Sequence, residues 1–221
     1  MSITTNSSPV ILFPKNLLTK PTSWSKLPIM EFTKTQEKIF NSAKTLMLSK
    51  GYPATTVDKI CANAKVSKGS FYHSFSSKEE LGIRLLEWYQ QGENEQLFGA
   101  TFKDLDEPRQ RMFGFLDHAE KSSKRLWGNG CLLASLGIEL AETNPKIRNQ
   151  VSGIFKKLTL RLETIFEPAA TRKGSPSAKE LAEQFLIMLE GSIVLARVSK
   201  NWGAVNRGFQ SFRKLLESSS K

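Results

Sequence analysis

The sequence predicts an all-α protein of about nine helices. From Phe32 onward apolar residues recur at the three- and four-residue spacing of a helix face. Glycine, proline and hydroxyl residues fall where such helices should start and stop. No convincing run of alternating apolar residues, the mark of a half-buried strand, occurs anywhere in the chain.

Residues 1–30 stand apart from the rest of the chain. Ser, Thr, Asn and Pro dominate there, and Pro9, Pro14, Pro21 and Pro28 break any regular pattern, so a disordered extension is expected. Lys15, Lys20 and Lys26 would make it a basic arm able to add phosphate contacts; the plainer readings are a floppy extension, or Met30 as the true initiator. The first helix is carried by Phe32, Gln36, Ile39, Phe40, Ala43, Leu46 and Met47, and is stopped by Gly51 and Pro53. Thr55 and Thr56 offer N-cap hydroxyls to a short helix burying Val57, Ile60, Cys61 and Ala64. A turn at Lys65-Val66-Ser67 leads into a second short helix, Lys68 to Ser74. Ser77 with Glu80 reads as a capping box opening a longer helix that runs to about Phe98.

Helices are then predicted over Asp106 to Lys124, Cys131 to Thr143, and from Pro145, as first residue, to about Phe166. A loop with Gly174 and Pro176 precedes two more, Ala178 to about Lys200 and Ala204 to about Ser218. Ala178–Lys200 is apolar on more than one side, with Leu181, Phe185, Met188, Ser192 and Leu195 on one stripe and Leu186, Leu189, Ile193 and Ala196 on another. A helix of that kind needs more partners than its own domain supplies.

Two short helices joined by a tight turn over about residues 56–75 form a helix-turn-helix, whose second helix enters the major groove of DNA. Thr55, Thr56, Ser67 and Lys68 stand at helix starts, where free N–H groups favour phosphate. Tyr72 and Lys78 are placed to hold further phosphates. Base reading is expected from Lys68, Gly69, Ser70 and His73 on the outer side of the second helix, with Lys68 donating to guanine O6 and N7. Phe71 and Phe75 are expected to be core residues that hold the reader. Residues 31–80 carry eight lysines (34, 38, 44, 50, 59, 65, 68, 78) against five acids (31, 37, 58, 79, 80), and the whole chain has a formal charge of +11. Such an excess favours a polyanion, although any single surface lysine is as often merely solvated.

Over residues 33 to 93 the chain resembles the TetR family of bacterial transcriptional regulators. The residues that carry the resemblance are Gly51-Tyr52, Thr55-Thr56-Val57, Ile60, Ala64, Val66 through Tyr72, Phe75 and Lys78 through Leu81. Lys65 departs from the glycine usual in the family's turn. Gly130-Cys131-Leu132-Leu133 through Asn144-Pro145 is similar to the regulatory domain of one branch. The resemblance implies a helix-turn-helix DNA-binding domain over 31–80 and a helical ligand-binding and dimerisation domain over 81–221. It also implies a homodimer formed through the last two helices, with phosphate contacts at Tyr72 and Lys78. Gly191 would let those helices cross closely.

A small-molecule pocket is the other content the resemblance implies. Trp88, Phe98, Phe102, Phe113, Trp127, Leu132 and Cys131 are its candidate lining, with His118 or Glu190 as polar anchor. Aromatic stripes at helical spacing are more often plain core. Glu190, a carboxylate inside an apolar run, needs a cationic ligand or a basic residue across the dimer. Cys131 is an oxidant sensor or inert packing.

Other classes find little material. There is no GxSxG elbow, P-loop, HExxH or repeated metal-ligand spacing, and His73 and His118 are the only histidines, which argues against an all-α enzyme. No apolar run approaches the roughly 18 to 20 residues of a membrane span, and the basic residues are too scattered for a membrane-surface helix. Cys61 and Cys131, each expected inside a helix, show no CxxC spacing. The expectation is a cytoplasmic, nucleoid-associated regulator, more a repressor than an activator. Its partners would be a double-stranded DNA operator, a second copy of the chain and a small-molecule effector, with no cofactor and no metal.

Overall fold

The computed structural model describes residues 30–99, 101–171 and 174–219. The expected disorder over 1–30 and the Lys15, Lys20 and Lys26 arm lie outside the described residues, Met30 excepted. Among the described residues there are nine α-helices, two short 3-10 turns and no strand.

The first helix, α1 (Lys34–Lys50), starts at Thr33, whose hydroxyl accepts from Gln36 N while the Gln36 amide oxygen accepts from Thr33 N. It buries Ile39, Phe40, Ala43 and Met47 and ends at Gly51, which has φ +80°. A Cβ there would meet the Glu139 carboxylate at 2.7 Å, so both conformation and space require glycine. Two short helices come next, α2 (Val57–Ala64), capped by Thr56, and α3 (Lys68–Ser74), capped by Ser67. Between them Lys65 takes the left-handed conformation, φ 55° and ψ 46°. Its geometry is thus the one glycine would provide, held here by a lysine at some cost. Lys65→Gly is expected to raise stability by about 0.5–1 kcal/mol, read from the urea midpoint at unchanged slope.

The long helix α4 (Lys78–Phe98) begins at Ser77, whose hydroxyl accepts from Glu80 N. The expected capping box is only half made, because the Glu80 carboxylate turns to the Ser76 amide at 2.7 Å instead. Buried Phe71 packs on Phe75, and Phe75 on Phe40, which also stacks on Trp88 of α4 at 5.5 Å. That aromatic stack ties α1 and α3 to α4.

After a 3-10 turn (Thr101–Asp104) come α5 (Pro108–Trp127), α6 (Leu132–Leu140) and α7 (Pro145–Phe166). Helix α6 is shorter at both ends than expected, and Cys131 is its N-cap residue rather than an interior one. Asn144 caps α7, with Pro145 at its first position. A second 3-10 turn (Glu167–Ala169) precedes α8 (Ala178–Ser199), opened by a full capping box of Ser177 and Glu180, and α9 (Gly203–Ser219). Phe185 of α8 is the hub of this half, fully buried with its ring 5.2 to 5.9 Å from those of Phe115, Phe166, Phe209 and Phe212.

Helix α8 is not buried all round. Leu181, Phe185, Leu186, Leu189, Ile193 and Ala196 are buried, whereas Ile187 (73% exposed), Val194, Leu195 and Val198 (81%) form one exposed apolar strip. Leu195, grouped by its spacing with Leu181 and Phe185, belongs to the exposed side. Gly191 lies on the same strip with open space beside its Cα. No helix among the described residues is long and apolar enough to cross a membrane.

Candidate functional site

The reader is built by caps. Ser67 Oγ accepts from Ser70 N at 3.0 Å and lies 2.9 Å from Ser70 Oγ, which fixes the start of α3. Phe71 anchors that helix from below, so Ser67, Lys68, Gly69, Ser70, Tyr72 and His73 are all left exposed. Tyr72 is 56% exposed and leans edge-on against Phe71 at 5.2 Å. Lys68 pairs with Asp58 of α2 at 2.7 Å, and that hydrogen bond and charge hold its ammonium pKa up. Thr56 is exposed at the N-cap of α2. Six exposed positions of one short helix and its cap therefore form a convex, acid-free ridge of groove-entering size.

Two expected contacts are corrected. Thr55 is fully buried and its hydroxyl donates to Gly51 O at 2.7 Å, so it shapes the α1–α2 loop and cannot reach a phosphate. The reason is capping: Thr56, not Thr55, satisfies α2, and the residue before it packs inward. Lys78 is turned inward too. Its Nζ donates to Tyr52 O at 3.0 Å and Thr55 O at 3.1 Å, and sits 4.2 Å from the Tyr52 ring centroid. Burial lowers its pKa, with Glu139 opposing. In this conformation Lys78 braces the loop under the reader.

The second candidate site is a narrow cavity of about 30 Å³, room for a water or two, among α4, α5, α7, α8 and the start of α6. Trp127, Cys131 and Glu190, expected at a pocket, do line it, as does Phe98. Leu132, Trp88, Phe102, Phe113 and His118 do not. Trp88 stacks on Phe40 of the reader's core, and Phe102 packs against Phe115. Phe113 is half-buried beneath the Arg109 and Arg213 guanidiniums, and His118 lies with Nε2 2.7 Å from Gln96 O. The 3-10 turn before α5 is what draws Phe102 toward Phe115, and helical period alone does not reveal it.

Three polar residues of α4 that the sequence pattern does not single out stand here: Glu93, Asn94 and Tyr89. Glu93 accepts from Trp127 Nε1 at 2.7 Å. Burial pushes its carboxyl up to about 7, with hydrogen bonds from Tyr89 and Trp127 and the charge of Lys44 opposing and the charge of Glu190 adding to it. Burial likewise raises Glu190, against a hydrogen bond with Cys131. The Cys131 thiol is pushed well up by burial and by Glu190 and Glu93, so it is held as unreactive thiol. A signal for Glu93 is present all the same, since it interrupts the Leu86, Tyr89, Leu97 stripe as Glu190 interrupts its own.

Because the folded state holds the Glu93 proton up to about pH 7 and the unfolded chain only to about 4.5, this group's contribution to stability is lost as pH rises through that window. Glu93→Gln keeps an oxygen for Trp127. It is expected to match the parent near pH 4.5 and to exceed it by roughly 1–3 kcal/mol at pH 8 in urea titrations.

Polar contacts join the cavity side to the reader side. Glu139 of α6 accepts from the Tyr52 amide at 2.7 Å. Glu79, at the start of α4, holds Asn144 at 2.8 Å and Lys146 at 2.6 Å. Arg197 of α8 donates to Leu48 O of α1 at 3.2 Å. Among the described residues no group of three potential metal ligands occurs.

Two family models match the chain: bacterial regulatory proteins of the tetR family over residues 39–85, and the C-terminal domain of LmrA/YxaF-like transcriptional regulators over residues 110–207. The transcriptional regulator AcuR of Cereibacter sphaeroides is 32% identical over 157 residues, which cover 69% of this chain and 71% of AcuR. The transcriptional repressor NemR of Escherichia coli is 25% identical over 188 residues, 82% of this chain and 94% of NemR. Among solved structures, a regulatory protein TetR from Rhodobacter sphaeroides matches with a TM-score of 0.72 at 26% identity, covering 83% of this chain and 99% of that one.

Proposed function

Because the chain belongs to the TetR family of bacterial DNA-binding transcriptional regulators, and is no enzyme, we propose that it acts as a homodimeric repressor released from a palindromic operator by a small-molecule effector. The observation that carries this reading is the exposed ridge of α3, with Ser67, Lys68, Gly69, Ser70, Tyr72 and His73 outward on a helix anchored by Phe71. Residues 31–80 are the reading domain and 81–221 the regulatory one. Thr56, Ser67 and Tyr72 hold phosphates, while Lys68, Gly69, Ser70 and His73 face base edges. Lys68 must exchange Asp58 for guanine, so its ion pair is part of the cost of wrong sequences.

The apolar strip of Ile187, Val194, Leu195 and Val198 supports dimerisation through α8 and α9, since a soluble chain seldom leaves such a strip uncovered. A two-fold pair would set its reading helices about 34–36 Å apart, one turn of duplex. An effector in the cavity would favour the conformation with misplaced readers, shifting the population off DNA.

Gel shifts on the chain's own upstream region, at several salt concentrations, test the reading. Specific duplex is expected to bind with affinity falling at least about tenfold between 50 and 200 mM salt. Equal binding to unrelated duplex, or to liposomes but not DNA, would exclude it.

A further inference from the structure

The cavity has a chemical bias opposite to that of the chain around it. The protein carries 32 Lys and Arg against 21 Asp and Glu, yet among the described residues lining the cavity two are acids, Glu93 and Glu190, and none is basic. They come from α4 and α8 and are close enough for the charge of one to act on the other. Neither makes an ion pair among the described residues. The bases nearby are turned to aromatic rings: Lys44, whose charge also reaches Glu93, sits 5.7 Å from the Trp88 ring and 5.8 Å from the Tyr89 ring, and Arg161 lies 4.2 Å over Phe98. Glu190 lines the cavity and is half-buried.

An unpartnered polar group accompanies the pair. Asn94 Nδ2, on the lining, is buried and has no hydrogen-bond partner among the described residues. Buried polar groups are ordinarily satisfied, and an orphan at a cavity marks the place of something that satisfies it. The remaining wall is mostly leucine and aromatic, with Gln90, Cys131 and Ile154.

We propose that this cavity takes an apolar organic cation, a quaternary or protonated amine bearing a hydrophobic group, with its charge between Glu93 and Glu190. A neutral apolar molecule leaves the two carboxyl groups with no counter-charge, and an anion would be repelled by whatever negative charge they hold. The cation removes the mutual repulsion and meets Trp127, an aromatic wall that favours positive charge. Asn94 Nδ2 offers a donor to an oxygen on the same molecule. With only about 30 Å³ open, the hydrophobic group enters by parting the leucines of α7 and α8, so occupancy moves α8 against α4. Release from DNA by that movement rests on the chain's being an effector-released repressor; binding does not.

The test is calorimetric titration of the full-length dimer with benzyltrimethylammonium, its carbon isostere neopentylbenzene, and phenylacetate, on the parent, Glu93→Gln and Glu190→Gln. The cation is expected to bind saturably and at least about tenfold tighter than the isostere, with phenylacetate weaker than both. Each glutamine variant is expected to lose about tenfold for the cation and nothing for the isostere, with unchanged helical circular dichroism to confirm folding. Equal affinity for cation and isostere, preference for phenylacetate, indifference to both substitutions, or no saturable binding would each overturn the inference. A cation that binds through both carboxylates yet leaves the DNA complex intact would instead refute the effector reading and leave this site standing. DNA release by phenylacetate would do the reverse.

Discussion

Tyr72→Ala is expected to weaken DNA binding by roughly ten- to a hundredfold, to the same degree on operator and on random duplex, while the unfolding midpoint stays within about 1 kcal/mol of the parent. The ring is more than half exposed and touches the core only edge-on at Phe71, so little packing is lost. On the proposed reading, one phosphate contact would go from each of two reading heads, so the effect would be counted twice. Lys68→Ala is the informative companion. It removes a base contact together with the Asp58 ion pair, and the ratio of operator to random binding should fall instead of both affinities. Fluorescence anisotropy on the two duplexes at one salt concentration separates the outcomes. Lys78, once its place against Tyr52 O and Thr55 O is known, is a poor probe of phosphate binding, because its removal also strips a brace from two carbonyls.

Phe185→Ala is expected to lower stability by about 3–5 kcal/mol, read as a fall in the urea midpoint at fixed protein concentration. The side chain is fully buried and four aromatic rings from α5, the end of α7 and α9 converge on it, so collapse around the vacancy is hindered from every side. Phe185 also lines the cavity, so the core's central ring is one wall of the proposed effector site. A loss below about 1 kcal/mol would mean that the five-ring cluster does not carry the regulatory half.

The reader is legible in the sequence because its determinants are local. Thr56, Ser67 and Ser77 each close a hydrogen bond three residues away, and Phe71 and Phe75 are fixed inward by the shortness of α3. Thr55 misses the expected role by one position, the smallest error a cap permits. The cavity is legible only in part. Glu190 stands out since a carboxylate in an apolar run is anomalous in any fold. Trp88 and Phe113 look the same as true lining residues, because an aromatic stripe reads alike whether its neighbours close over it or leave a gap. What separates them is the rotation of α4 and α5 against α7 and α8, which no spacing within one helix encodes. Lys65 is an instructive middle case. Its turn adopts the geometry glycine would have favoured, so the surrounding caps and the Ile60, Cys61 and Ala64 face outweigh one unfavourable residue.

Helix α6 has only nine residues, about 13 Å of rod. Its first end, Cys131 and Leu133, borders the cavity, and Glu139 near its other end grips the Tyr52 amide. A rod that short does not bend appreciably, so a displacement at one end arrives at the other almost undiminished. The grip it moves is a hydrogen bond, which weakens as it lengthens. On the proposed reading, a molecule in the cavity would loosen that grip by as much as it displaces the rod, and size as well as charge would decide which compounds are heard.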